Sequence, residues 1–456
     1  MRDGGPWVHL GVTPQARRVP FHLGALFGLA GMGSSSASIV LRDLASDLGV
    51  GVGVAAWAIS LYVLMLAVTT AVYGRVADLV GVRTPLLVGL VLMGSGSLVS
   101  ALAPTFGVEL VARMAQGAGA AAVPTLGVTI LNQRYSGAER GYALGRLAAT
   151  ATAIVCAGPL VGGLVDQWLG WRAVMALPIL GLLLLPALWP SLTREGTGDR
   201  LDVLGAGLVA ATAAGLVLLV QSPTTGLVIA VTGGLLLVLG APAVAAWVRR
   251  RPHGFLPRSV IRNPTVVRGA VAAAAVPAAW FGQLIAVPLV LLREGWASWQ
   301  VGLLLVPSIL LSPLIPRISG GLLERLGAAR TLGVAGVLAA VSLALATAGA
   351  ALVSVPLLVG ALVTVTLAFG LGQPTLSAAV SDAVHPDVRG VALGVATLLF
   401  LVGGSVGSAA VAGLGDLLGV PGSLAVLAAL PLLGLVVLAP ELRGRRSPGR
   451  TAPEPA

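Results

Sequence analysis

One arginine, Arg113, lies inside a long apolar stretch, with Glu109 one helical turn before it and Gln116 three residues after. An ionised side chain in such a stretch is expensive and faces a cavity or a partner, so Arg113 is the first candidate for handling charge on a solute or on a proton path. The spacing and order of Glu109 and Arg113 equally suit a local ion pair on one helical face, and both readings stand. A second constellation, Gly74-Arg75-Val76-Ala77-Asp78-Leu79-Val80-Gly81-Val82-Arg83, sets an acid and two bases among glycines that permit a tight turn. Asp78 there can meet a basic residue or the positive N-terminal end of a neighbouring helix. Other chemistry has little to stand on. The single cysteine, Cys156, sits in an apolar run, and the four histidines (His9, His22, His253, His385) are scattered, so no intrachain disulfide, metal site or resident cofactor is expected. The absence of a nucleophile constellation or a paired His/Asp cluster argues against a membrane-embedded enzyme or sensor.

These residues have to be positioned by membrane helices. The 456 residues are 57% hydrophobic and 10% charged, with a mean hydropathy of +0.97, whereas soluble domains are about 45–50% apolar and about 25% charged. All 28 basic side chains are arginine, and the net charge of +11 is spread in short blocks between apolar runs, which excludes a nucleic-acid face. Apolar runs able to cross a ~30 Å hydrocarbon core fall at 20–42, 53–74, 84–104, 107–131, 142–166, 171–190, 203–221, 225–247, 265–292, 299–318, 330–350, 354–380, 389–414 and 421–440. The expected fold class is therefore an all-α integral membrane protein of fourteen transmembrane helices. With the N-terminus inside, only Arg42, Arg172 and Arg293 fall in outer loops, Arg113, Arg146, Arg268 and Arg317 lie within or at the edge of spans, and the other 21 arginines are on the inner side. That asymmetry predicts a plasma-membrane protein with both termini cytoplasmic. Trp168, Trp171, Trp296 and Trp299 fall at outer boundaries and Trp189 and Trp247 at inner ones, as interfacial anchors do.

The chain also repeats itself. Glu139-Arg140-Gly141-Tyr142-Ala143-Leu144-Gly145 returns as Val388-Arg389-Gly390-Val391-Ala392-Leu393-Gly394, Pro124-Thr125-Leu126 as Pro374-Thr375-Leu376, and the segment around Asp78 as Gly320-Gly321-Leu322-Leu323-Glu324-Arg325-Leu326-Gly327. One duplication explains all three and makes the halves parallel six-helix repeats, with the substrate site near the midplane where they meet. The expected organisation is a cytoplasmic segment 1–19, a six-helix bundle 20–190, a loop and inserted helix pair 191–247, a basic linker 248–264, a second bundle 265–440 and a cytoplasmic tail 441–456.

At this point the residues resemble the major facilitator superfamily, in particular its fourteen-span drug:proton antiporters, and look closest to the tetracycline-type exporters through Thr70-Ala71-Val72-Tyr73-Gly74 and Gln116-Gly117-Ala118-Gly119-Ala120-Ala121-Ala122. The resemblance covers essentially the whole chain. It implies a conformational latch of Gly74, Asp78, Gly81 and Arg83, with Glu324 and Arg325 in the second copy. It gives Arg113, with Gln116 and Glu109, a role in coupling or substrate contact. It also implies that Gly145, Gly158, Pro159, Gly162 and Gly163 form the fifth-span pattern typical of exporters, although Ile154 stands where a further glycine is usual. Without the resemblance, Gly158-Pro159 is a local weakening that permits a kink and close packing. Gly117-Ala118-Gly119-Ala120-Ala121 is a helix-packing face, since no strand precedes it as a nucleotide loop requires.

The sequence departs from the family where intramembrane acids are usual: Gly33 or Ser34, Val155 and Gly403 occupy those positions. A drug–metal chelate exchange is thus not expected, and the substrate is expected to be neutral, zwitterionic or anionic. Candidate cavity residues are Ser34, Ser35, Tyr62, Gln116, Trp280, Phe281, Gln283 and Gln373, polar or aromatic groups suited to a bulky amphipathic ligand. The expected function is export of a small hydrophobic compound, an antibiotic or drug-like metabolite, by a monomer working through alternating access and driven by protons. The alternative is a major facilitator uptake carrier or facilitator for a nutrient or anion.

Overall fold

The computed structural model describes residues 14–135, 137–192, 202–251, 254–256, 258–385 and 389–443, and every regular element among them is helical. The polar N-terminal segment before Pro14 and the tail beyond Arg443 lie outside the described residues, as does the side chain of Asp78. Among the described residues, eleven helical stretches are long and apolar enough to cross a bilayer. In hydrocarbon a helix is the form that satisfies its own backbone polar groups, which is why the apolar runs fold this way. Several helices match the expected spans closely: Arg83–Ala101, Pro264–Arg293, Ala328–Leu352 and Val355–Ala383. The first differs, because its helix Pro14–Ser35 ends well before residue 42 and the chain passes through turns into the short helix Leu41–Asp47.

Two of the eleven stretches are far longer than one crossing, Tyr142–Leu188 and Ala392–Leu442. Each contains a glycine in the left-handed region, Gly170 (φ 74, ψ 171) and Gly419 (φ 69, ψ 171), where the helix breaks. Gly81 (φ 78, ψ 175) and Gly327 (φ 78, ψ 167) end their helices in the same way. The sequence pairs Gly81 with Gly327, and Gly170 stands almost the same distance from Gly419. A residue with a Cβ is strained at such φ values, which is why glycine stands at each of these four corners.

Helices in lipid associate by close packing between small residues. On the Trp57–Val80 side, a methyl group on Gly117 would overlap the backbone of Tyr62; in the second half, one on Gly407 would overlap the backbone of Ala278. Backbone atoms cannot yield as a side-chain tip does. Gly117→Ala is therefore expected to destabilise the protein by about 1–3 kcal/mol, read as a lower midpoint in detergent thermal-stability measurements. The halves meet along two seams. Trp57–Val80 runs against Arg389–Leu427, and Gly137–Ala176 against Ser298–Leu303 and Val306–Leu311.

The helices Val203–Thr225 and Leu227–Arg250 pair with each other, and the first also packs on Arg389–Leu427. Their base is tied by Asp202, whose carboxylate accepts from Gly205 N at 3.0 Å, Trp247 Nε1 at 3.0 Å and Phe255 N at 2.9 Å. Burial pushes this carboxyl upward, but the donors Phe255, Gly205 and Trp247 and the charge of Arg251 outweigh it and hold the group below the usual carboxylate range. A carboxyl lowered in the folded state contributes stability above its unfolded value, about 3.9, and loses it as pH falls through the folded value. Asp202→Ala should cost about 1 kcal/mol through the lost cap. It should also speed tryptic cleavage after Arg250 or Arg258 in the linker.

Candidate functional site

The helix Phe106–Ala120 begins where the Thr105 hydroxyl accepts from Val108 N, and its inward stripe holds Glu109, Ala112, Arg113, Gln116 and Gly117, all buried. The polar members recur at helical spacing, so one face carries an acid, a base and an amide down into the bundle. Arg113 is 0% exposed. Its Nε donates to Ala58 O at 3.1 Å and its Nη1 to Gly33 O at 2.8 Å. Nη1 also donates to Gln116 Oε1 and reaches the sulfur of Met175 at 4.0 Å. The guanidinium sits over the Tyr62 ring, 4.6 Å from its centroid, while Tyr62 donates its hydroxyl to Ala30 O at 2.6 Å. Gln116 in turn donates to Ser97 Oγ at 2.7 Å. A guanidinium stays protonated. Its charge is thus held by carbonyls, an amide and an aromatic face supplied by the first two spans as well as its own, each charge-assisted bond being worth about 1.5–3 kcal/mol.

Glu109, also 0% exposed, does not pair with Arg113. Its Oε2 accepts from Ser100 Oγ at 2.6 Å, while its Oε1 and Arg113 Nη2 have no hydrogen-bond partner. The spacing that suits a local ion pair is present, and the pair is not formed.

Among the other expected site residues, Arg113, Gln116 and Tyr62 come together, with Gly33, next to Ser34, supplying a carbonyl. Ser34 and Ser35 are spent on backbone carbonyls, Gly31 O and Val155 O, both at 2.9 Å. Trp280 belongs to an aromatic cluster in the second half, 5.8 Å from Phe369, which lies 5.6 Å from Phe400. Phe281 packs against Gly404, and Gln283 donates to Ser342 Oγ at 3.0 Å with its Oε1 unpartnered. Gln373 is half-buried on Val355–Ala383. Of the latch residues, Gly74 faces the Thr125 methyl and Gly81 closes its helix; Arg83 stacks on the Trp189 ring at 3.6 Å; Glu324 and Arg325 are exposed.

The fifth-span residues all lie at helix seams. Gly158 and Gly162 pack on Ser35 and Ser36 of the first span, while Gly163 abuts Ser298 and Trp299, Pro159 faces Gly302, and Gly145 faces Pro316. Around them the halves are bridged at one rim. Ser298 Oγ donates to Asp166 Oδ2 at 3.2 Å, and Arg42 Nη1 to Leu292 O at 3.1 Å; deeper in, Ser60 and Ser408 share a hydrogen bond of 3.0 Å. The sequence reading missed Ser97, Ser100, Ser298 and Ser408. The three-residue spacing of Ser97 and Ser100 within a span was the one signal available.

A family model described as Major Facilitator Superfamily matches residues 23–408 and, in a second stretch, 269–456. The chain belongs to the major facilitator superfamily. It is a multi-pass membrane transporter of that family. The multidrug resistance protein B homolog of Mycobacterium tuberculosis is 27% identical over 392 residues, covering 82% of this chain and 71% of the relative. The multidrug resistance protein Stp of the same organism is 28% identical over 300 residues, 64% of this chain and 56% of its own length. The chain thus spans less than two thirds of Stp. A crystal structure of a POT family transporter in complex with 5-aminolevulinic acid superposes with a TM-score of 0.68 over 94% of this chain and 97% of that one, at 15% identity, which speaks for the shared transporter fold.

Proposed function

We propose that this transporter exports a small hydrophobic compound, an antibiotic or drug-like metabolite, by alternating access driven by a proton gradient. The observation that carries this reading is similarity over most of the chain to relatives named for multidrug resistance. Fourteen spans follow if Pro14–Ser35 is counted and the two long stretches are divided at Gly170 and Gly419; an even number sets both termini on one side, and the arginine asymmetry makes that side cytoplasmic. The repeated glycine corners support two parallel six-helix halves with 203–250 inserted between them. Asp78 and Arg83, with Glu324 and Arg325 in the second copy, serve as the latch between states, and the protein works as a monomer.

The substrate is neutral, zwitterionic or anionic. No acid stands at Gly33, Ser34, Val155 or Gly403, and the guanidinium of Arg113 is fully buried in the core. A cationic drug entering beside it would meet like charge in a low-dielectric setting, which favours other ligands. Drug-susceptibility profiling of expressing cells, repeated with the proton gradient collapsed, tests the proposal. Raised resistance that vanishes on collapse is the expected result. In everted vesicles, equilibration of solute independent of a pH gradient would instead mark a facilitator.

A further inference from the structure

The family's usual intramembrane acids are absent, yet the first half buries one carboxyl completely, beside the arginine that the resemblance assigns to coupling or substrate contact. Glu109 has no exposure, and its sole hydrogen-bond partner is a neutral hydroxyl, Ser100 Oγ at 2.6 Å. Its second oxygen has no partner. An ionised carboxylate accepts at both oxygens and is costly to bury unpaired. One helical turn deeper, Arg113 keeps an unused Nη2 while its other nitrogens hold Gly33 O of the first span and Ala58 O of the second. The charged groups facing Glu109 are Arg113 on its own helix and Arg172, which packs over the Ser100 end by donating to Ala101 O at 3.3 Å and Ala103 O at 2.9 Å and is itself paired with Asp47 at 2.9 Å. No second acid competes for the site among these neighbours.

We infer that Glu109 is the proton-carrying residue of this transporter, protonated in the state seen here and poised to pair with Arg113 when the proton leaves. This inference rests on the proton-driven reading above. The O–H bond breaks and the proton passes to water on the side to which the cavity then opens. The carboxylate left behind takes up the unused Nη2 of Arg113. Drawing the guanidinium toward Glu109 loosens its hold on Gly33 O and Ala58 O, two of the bonds that tie the first and second spans to the fourth. Protonation is thereby converted into a change in helix packing, and an acid beside the arginine replaces an acid on the first span.

The test uses the full-length protein reconstituted in liposomes, with the proton as the probe. Infrared difference spectroscopy at neutral pH should show a protonated-carboxyl C=O band that titrates away at alkaline pH, is absent in Glu109→Gln, persists in Glu109→Asp, and moves to higher wavenumber in Ser100→Ala. Glu109→Gln, isosteric with the neutral acid, should still exchange internal for external substrate, while its uphill transport under an imposed pH gradient falls to the level seen without one. A Glu109→Gln spectrum identical to wild type across the titration overturns the assignment, and so does gradient-driven transport by that variant at the wild-type rate. Should wild type itself show no gradient-driven transport, the export reading fails, and the carboxyl band still decides the proton site.

Discussion

Arg113→Gln should reduce export at least about tenfold, with the protein still present in the membrane. The guanidinium satisfies Gly33 O, Ala58 O and the Gln116 amide at once, and a glutamine side chain is too short and too poor in donors to replace it. Each buried acceptor left unpaired costs about 1–3 kcal/mol, and 1.4 kcal/mol is a factor of ten. Initial efflux rates in everted vesicles, normalised to protein amount, measure the loss. The same experiment separates two roles. If Arg113 contacts an anionic substrate group, the variant loses far more with an anionic compound than with a neutral one, whereas equal losses assign it to structure or coupling. Arg113→Lys keeps the charge and lacks the planar fork, so it should recover only part of the activity.

Asp78→Asn is the second substitution with a large expected effect. The side chain remains nearly the same size, so insertion and folding should survive, while the charge that the proposed latch uses is gone. Transport should fall to background with unchanged membrane abundance. Wild-type rates from this variant would remove Asp78 from the latch. Arg83, stacked on Trp189, already sits against the end of its own half, which makes Arg83→Ala a useful companion. It removes packing as well as charge, and should lower thermal stability where Asp78→Asn does not.

How much was legible in the sequence follows from what each feature depends on. A membrane helix announces itself by length and apolarity, so the helices from Arg83, Pro264, Ala328 and Val355 fall close to where the apolar runs placed them. Glycine corners are equally local, because positive φ selects glycine whatever surrounds it; the second pair, Gly170 and Gly419, shares its flanks too, Gly163-Leu164-Val165-Asp166 before one and Gly413-Leu414-Gly415-Asp416 before the other. Helix rotation and depth are different, since they are set by packing between spans that sequence periodicity barely records in an all-apolar segment. Counting residues places Glu109 at a span end. The structure buries it, because Ser100 and the backbone around Ala101 and Ala103, held by Arg172, close over the start of its helix. The same reason hid Ser298 and Ser408, whose partners Asp166 and Ser60 lie on the opposite half. Arg113 was legible because a charge in an apolar run needs no partner to be noticed.

Everything proposed requires the seam between Gly137–Ala176 and Ser298–Leu303 to open and close in each cycle. Cysteines at Asp166 and Ser298, 3.2 Å apart between side-chain oxygens, with Cys156 replaced by alanine, can be joined by a short thiol cross-linker while transport is followed in liposomes. Transport should stop on cross-linking and return on reductive release. Undiminished transport with the two halves fully joined at this rim would contradict the account.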